Sequence, residues 1–233
     1  MEYRVLGHNL PKKEVADKVT GRIKYSSDLL FPNLLFGRIL HSPHAHARIL
    51  NIDTSQAAAL PGVKAVITHN DAPRIRRGRW IQDRYVLATE KVHYIGEPVV
   101  AVAAVDEETA DEALELVRVE YQELPAVFDI KTAMEPTAPL VHEDLIDYHC
   151  PAANLKPQGN ILEQGKIVLG DVENAWAQCY LIHEDDYQTP VVYQGFTQPH
   201  ETTAAVDSSG RITIWASNKA PFILRQMLAQ ALN

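Results

Sequence analysis

The clearest pattern of apolar and polar positions runs from residue 99 to residue 121. Residues 99–105 form an unbroken apolar run (VVAVAAV), a length that suits a buried strand better than a helix. Asp106 follows at an N-cap position, and two acidic residues occupy the next turn, where they suit the helix dipole. Ala110, Ala113, Leu114 and Val117 then recur at helical spacing, before an extended, β-branched stretch at 117–121. This stretch predicts a strand–helix–strand unit whose helix lies across a sheet.

Weaker patterns on both sides of this unit predict further short elements. Strands are expected at 22–25, 34–41, 48–52, 63–68, 181–187, 203–206 and 211–215, with a short strand region within 159–170. Helices are expected at 54–60, 171–177 and 221–232. The mixture of short strands and helices predicts an α+β fold.

The amino-acid composition changes at residues 131–160, and this segment divides the chain. The segment contains four prolines, at positions 136, 139, 151 and 157, and shows no sustained apolar period. Such composition is typical of a connector that follows a surface. We therefore expect a first domain at 1–130, a linker at 131–160 and a second region at 161–233.

Composition and charge exclude some partners. The 233 residues are 46% hydrophobic and carry a formal net charge of −8 with a pI of about 5.7, which argues against nucleic acid. The arginine-rich segment 74–84 is interpreted as a solvated loop or subunit contact. Two cysteines and no signal or membrane-spanning pattern predict a cytoplasmic protein with free thiols and no membrane association.

Few residues suggest chemistry, and no catalytic residue or metal site is predicted. His44 and His46 would share one strand face, but no Cys, Asp or Glu stands at ligand spacing, so a structural role is favoured over a metal. His200 and Glu201 are adjacent and would point to opposite faces of a strand, which disfavours an acid–base pair. Cys179 is expected in the core. Phosphate-binding loops and common nucleophile motifs are missing from the sequence.

Several motifs nevertheless resemble a known family. ADKVTGRIKYSSD, GRILHSPHAHARILNIDTSQAAALPGVKAVIT, LATEKVHYIGEPVVAVAA and EYQELPAV resemble, in order, the α/β hammerhead module. That module opens the large, molybdenum-binding subunit of the xanthine dehydrogenase, aldehyde oxidase and carbon monoxide dehydrogenase family. The segment from Gly170 onward, GDVENAWAQCYLIHEDDYQTPVVYQGFTQPHETT and its continuation, resembles the opening of that subunit's molybdopterin-binding domain. The resemblance implies an α/β hammerhead domain followed by the opening strands and helix of a second α+β domain.

This resemblance also implies a function. Family members are oxidoreductases that insert a water-derived oxygen into an aromatic heterocycle or an aldehyde, using molybdopterin, with FAD and iron–sulfur clusters on other subunits. The family has a glutamine near the molybdenum, and its spacing from the E-P-H motif falls close to Val192 here. The nearest glutamine is Gln194, which is therefore implied as the cofactor-binding residue. Gln198 stands where the family has the glutamate of its E-P-H motif.

The family's G-G-G-F-G loop and late glutamate base do not occur in the chain. We therefore expect the N-terminal part, or a split subunit, of a molybdenum hydroxylase that is inactive alone. It would form a hetero-oligomer with the rest of the molybdenum subunit, an FAD subunit and an iron–sulfur subunit. The alternative is a non-catalytic scaffold or assembly module, or a truncated gene product.

Overall fold

A computed structural model of the chain describes residues 3, 5–78, 81–150 and 156–232. These residues form two compact units: a smaller one from segments 1–32 and 190–224, and a larger one from segments 33–189 and 225–233. Within the described part of the chain, no helix is long and apolar enough to cross a membrane.

The larger unit is built on two antiparallel three-stranded sheets. The first has the order β1-β5-β3, with β1 at Phe36–His41, β5 at Pro98–Ala104 and β3 at Val63–Ile67. The second has the order β4-β2-β6, with β4 at Lys91–Val92, β2 at Ala47–Asp53 and β6 at Arg118–Glu123. Strand β5 is central in its sheet, which explains why its sequence is apolar at nearly every position.

The three helices in the first part of the chain are α1 at Val15–Val19, α2 at Ser55–Ala59 and α3 at Glu107–Leu116. Of these three helices, α3 begins at a side-chain cap, whereas α1 and α2 have no side-chain hydrogen bond at their N-caps. Helix α3 starts at Asp106, whose carboxylate accepts a hydrogen bond from the amide of Thr109 at 2.8 Å. The cap and the strand–helix–strand order predicted for this region are confirmed.

The core of the larger unit lies around β5 and α3. Val99 and Val100 of β5 and Ala113 of α3 are fully buried, and they cluster with Val92 and Ala47 of the second sheet. Small alanines on the inner face of α3 let the helix approach the first sheet closely. The two strands that flank α3 belong to different sheets, however, so the unit joins two sheets instead of extending one.

Residues 129–150 and 156–161 lie on the surface of the larger unit with little regular structure. They contain a short helix, α4 at Ile130–Ala133, and a 3₁₀ turn at Leu145–Asp147. The side chain of Asn160 fastens the segment to itself: its amide donates to the carbonyls of Ala133 and Pro139, and its oxygen accepts from the amide of Val141. The division at 131–160 stays a prediction.

Downstream elements are fewer than the sequence suggested. Helix α5 at Val172–Gln178 begins at the cap residue Asp171, and the hairpin strands β7 and β8 span Thr202–Val206 and Ile212–Ala216. Helix α6 at Pro221–Leu232 has the predicted bounds. The strands predicted at 22–25, 181–187 and within 159–170 are wrong: these residues form no ladder beyond a single Gln158–Ile161 bridge. Helix α1 was not predicted, because its apolar positions are few and exposed.

Candidate functional site

The smaller unit contains an open cleft of about 1390 Å³. Three segments of the unit form its walls: residues 24–29, residues 194–200 and residues 214–219, which include the end of β8. The ring of Phe31 lies 5.1 Å from that of Trp215, centroid to centroid, and connects the N-terminal segment with the hairpin. The cleft therefore depends on aromatic packing within this unit.

Gln194, the residue predicted to bind a cofactor, lines this cleft. The segment that carries it is fixed at its far end by Gln198, whose side-chain oxygen accepts a hydrogen bond from the Ser217 hydroxyl at 3.0 Å. Between them, the ring of Phe196 contacts the edge of His200, with centroids 4.4 Å apart. Gln194 and Gln198, which are close in sequence, thus both line the cleft.

The donors on this surface fit one side of a polar, anionic group. Gln194 and Asn218 carry amides, and Lys24 and Lys219 carry ammonium groups, all on cleft segments that are largely exposed. Within the described part of the chain, every buried polar side-chain atom without a hydrogen-bond partner belongs to the larger unit. The cleft can therefore contact a cofactor such as molybdopterin from one side, but its described residues do not enclose one. Lys24, Ser217 and Lys219 carried no motif that would have identified them from the sequence.

His44 and His46, for which the sequence favoured a structural role over a metal, have hydrogen-bonding or ionic partners in the structure. His44 Nδ1 lies 3.2 Å from a carboxylate oxygen of Glu123, and His46 Nδ1 shares a 2.7 Å hydrogen bond with the carbonyl of Pro125. Both residues precede β2, so they do not share a strand face as predicted. The described residues contain no cluster of three or more His, Cys, Asp or Glu able to hold a metal.

Two other expectations about individual residues are wrong. Cys179 is exposed at the C-terminal end of α5, not part of the core; its thiol donates a hydrogen bond to the Ala175 carbonyl, at 3.2 Å. His200 and Glu201 precede β7 and are not on a strand; both are exposed.

The arginine-rich loop is not wholly solvated. The guanidinium of Arg76 lies over the ring of Tyr148, 4.2 Å from its centroid, and binds a carboxylate oxygen of Asp144 at 2.5 Å. Burial of Tyr148, together with the nearby Asp144 carboxylate, raises the pKa of its phenol strongly. Burial disfavours the charge of Asp144, yet hydrogen bonds from Tyr148 and Arg76 outweigh it and lower the pKa of that carboxyl.

Two family models match most of the chain. Residues 20–125 match the family described as aldehyde oxidase and xanthine dehydrogenase, a/b hammerhead domain, and residues 154–233 match the molybdopterin cofactor-binding domain. The family and the α+β fold class expected from the sequence motifs are both confirmed.

Comparison with individual proteins supports the same family. The chain is 32% identical to the nicotinate dehydrogenase large molybdopterin subunit of Eubacterium barkeri, over 99% of the chain and 51% of that protein. It is 34% identical to the carbon monoxide dehydrogenase large chain of Afipia carboxidovorans, over 97% of the chain and 29% of that protein. Among solved structures, quinoline 2-oxidoreductase from Pseudomonas putida 86 superposes with a TM-score of 0.80 at 26% identity, covering 97% of the chain and 28% of that chain. The chain thus spans between a quarter and about half the length of these relatives.

Proposed function

We propose that this chain, which belongs to the aldehyde oxidase and xanthine dehydrogenase family, supplies the hammerhead domain and the opening part of the cofactor domain of a molybdenum hydroxylase. The molybdopterin site is completed by polypeptide outside these 233 residues. FAD and iron–sulfur clusters on other subunits carry the electrons away, and the assembly is cytoplasmic. The division at 1–130, 131–160 and 161–233 is part of this proposal.

The observation that carries the proposal is a long apolar segment without packing. Between residues 162 and 196 the described chain has one short helix and no strand, and many of its large apolar side chains are exposed. Ile167, Tyr180 and Val191 have exposures of 100%, 104% and 102%. Soluble proteins rarely leave contiguous apolar surface of this kind in water unless another surface covers it. A cofactor domain completed by further polypeptide provides that cover.

The chain's own residues would hold the cofactor from one side. When bound, molybdopterin supplies the redox chemistry of the hydroxylation. The Gln194 amide donates a hydrogen bond toward it, and Lys24 and Lys219 offset negative charge at the cleft. Gln198, held by Ser217, keeps the Gln194 segment against the end of β8.

The family and the named relatives support a proposal for the substrate class. Two of the proteins described above are named for nicotinate and quinoline, which are aromatic nitrogen heterocycles. We therefore propose an aromatic heterocycle or an aldehyde as the substrate, oxidised with an oxygen atom from water.

Co-expression tests the proposal. The tagged chain is produced alone and together with a polypeptide that carries the family's G-G-G-F-G loop and late glutamate, and oxidation of a heterocycle or aldehyde panel is followed with a dye acceptor. We expect no turnover from the chain alone, and recovery of a stable complex with bound molybdenum and turnover on co-expression. A stable complex without molybdenum or turnover would favour the scaffold role. Turnover by the chain alone would refute the proposal.

A further inference from the structure

Residues 141–149, here called the strap, lie on the surface of the larger unit through several polar contacts. The Asp144 carboxylate binds Arg76, and the Glu143 carboxylate lies 3.5 Å from the ammonium of Lys91. The amide of Gln82 donates to the carbonyl of His149 at 2.9 Å. The strap is thus attached to earlier parts of the larger unit, including β4, at three points along its length.

At its start, the strap is attached through a stack of imidazoles. The ring of His142 lies 4.4 Å from that of His93, centroid to centroid, with 11° between the ring planes. The His46 ring also stacks on His93, with centroids 6.5 Å apart and 27° between the ring planes. His142 Nδ1 also shares a 3.0 Å hydrogen bond with the Tyr148 hydroxyl. All four residues are buried or partly buried.

The two stacked rings differ in their charged neighbours. His93 Nδ1 lies 3.3 Å from a carboxylate oxygen of Glu97, a side chain that is nearly buried. A proton on His93 therefore has a counter-charge within contact distance. Among the residues that the structure describes, no carboxylate lies at that distance from His142, and a proton on it would lie beside the ring of His93. The charged or titratable groups facing this stack from the surrounding segments are His46, Arg76, Asp83, Lys91, Glu97, Glu143, Asp144 and Tyr148.

We propose that the His142–His93 stack is a proton-controlled latch: the strap is docked while His142 is neutral and is released when His142 takes up a proton. Stacked neutral rings attract each other through their faces, whereas a charged His142 ring is destabilised by its partial burial, a cost that release to water removes. Release would uncover Tyr148 and Arg76 and free the segment that precedes the cofactor-domain sequence. The latch is independent of the proposed molybdenum chemistry.

The direction of the pH dependence follows from the environment of His142. Burial lowers the pKa of His142 below its ordinary value of 6.5, and the neighbouring His93 lowers it further. The released strap binds the proton more tightly than the docked strap, so docking is fully favourable above 6.5 and weakens as the pH falls toward the lowered pKa. The carboxylates of Asp83 and Asp144 raise the pKa of His142, but less than burial and His93 lower it. The charge of Lys91 also lowers this pKa.

Hydrogen exchange of the strap amides tests the latch. Exchange in the 233-residue chain is measured by mass spectrometry at about pH 7.5 and about pH 5, with labelling times corrected for the intrinsic rate. The released fraction of the strap should rise by up to about tenfold for each pH unit of acidification. This holds between the pKa of His142 in the released strap and its lower pKa in the docked strap. His142→Phe retains a flat ring on His93 but cannot take a proton, so its strap should exchange equally at both pH values. His183→Phe removes an exposed histidine of the same unit, and its strap should respond as in the unaltered chain.

Three results would overturn the latch: no acid-induced exchange in the unaltered chain, the same acid response in His142→Phe, or loss of the response in His183→Phe. If the phenylalanine ring fails to dock and the strap exchanges rapidly at both pH values, an NMR titration of the unaltered chain decides. The midpoint of the His142 ring signal must then coincide with the midpoint of strap opening. Separate midpoints would refute the proposal.

Discussion

Val100 offers the most direct test of where the structure places the stabilising core. Its side chain is fully buried in the middle of β5, opposite Leu40 of β1, and belongs to the cluster that joins both sheets to α3. Val100→Ala deletes two methyl groups from this position. At about 0.8 kcal/mol for each buried carbon, the lost transfer free energy is about 1.6 kcal/mol.

The cavity left behind adds to this loss. The buried cluster around the position relaxes only partly, and an unfilled cavity costs about 24 cal/mol per Å³, so a void of about 40 Å³ contributes about 1 kcal/mol. The predicted destabilisation is therefore about 2.6 kcal/mol, a large share of the stability of a typical domain.

Urea unfolding followed by far-UV circular dichroism measures this free energy. The matched control is Val105→Ala, which makes the same chemical change just beyond β5, where the side chain is 44% exposed. We expect the control to lose less than about 1 kcal/mol, since less apolar surface returns to water. Equal losses for the two variants would show that β5 is not the centre of the core.

Three further predictions concern the cleft, the helix cap and acid stability. Gln194→Ala should weaken molybdenum retention in the completed complex about fivefold, the effect of one neutral hydrogen bond, while Gln188→Ala should not; equal retention in both variants would exclude Gln194. Asp106→Ala should lower the free energy of unfolding by removing the cap of α3, whereas Asp106→Asn, which keeps an acceptor, should restore most of it; a loss as large in Asp106→Asn would argue against the cap. Because the folded-state pKa of Asp144 is lowered, its stabilising effect is present above about 3.8 and is lost as the pH falls through the folded value. The difference in unfolding free energy between the unaltered chain and Asp144→Asn should shrink over that range, and a difference independent of pH would contradict it.

The hammerhead elements were predictable because their signals are local. The apolar run at 99–105 and the Asp106 cap each contain within a few residues the information that forms β5 and α3. Which sheet each strand joins was not predictable, since β5 and β6 pair with strands that lie far away in sequence.

The strand predictions at 159–170 and 181–187 were wrong for a different reason. Their sequences are apolar enough for strands, but a strand needs a partner for its backbone groups, and the described residues provide none. Gln194 could be proposed from its position near the family motif, and its role stays a prediction. The stack of His93 and His142 depends on a long-range contact that leaves no spacing pattern.

Molybdenum content measured by mass spectrometry of native complexes tests the central claim most directly. The chain purified alone from molybdenum-replete cells is compared with the complex that contains the remaining cofactor-domain polypeptide. Incomplete enclosure of the cleft predicts negligible metal on the chain alone and one molybdenum per chain in the complex. A stoichiometric molybdenum–pterin group bound to the chain alone would contradict the account.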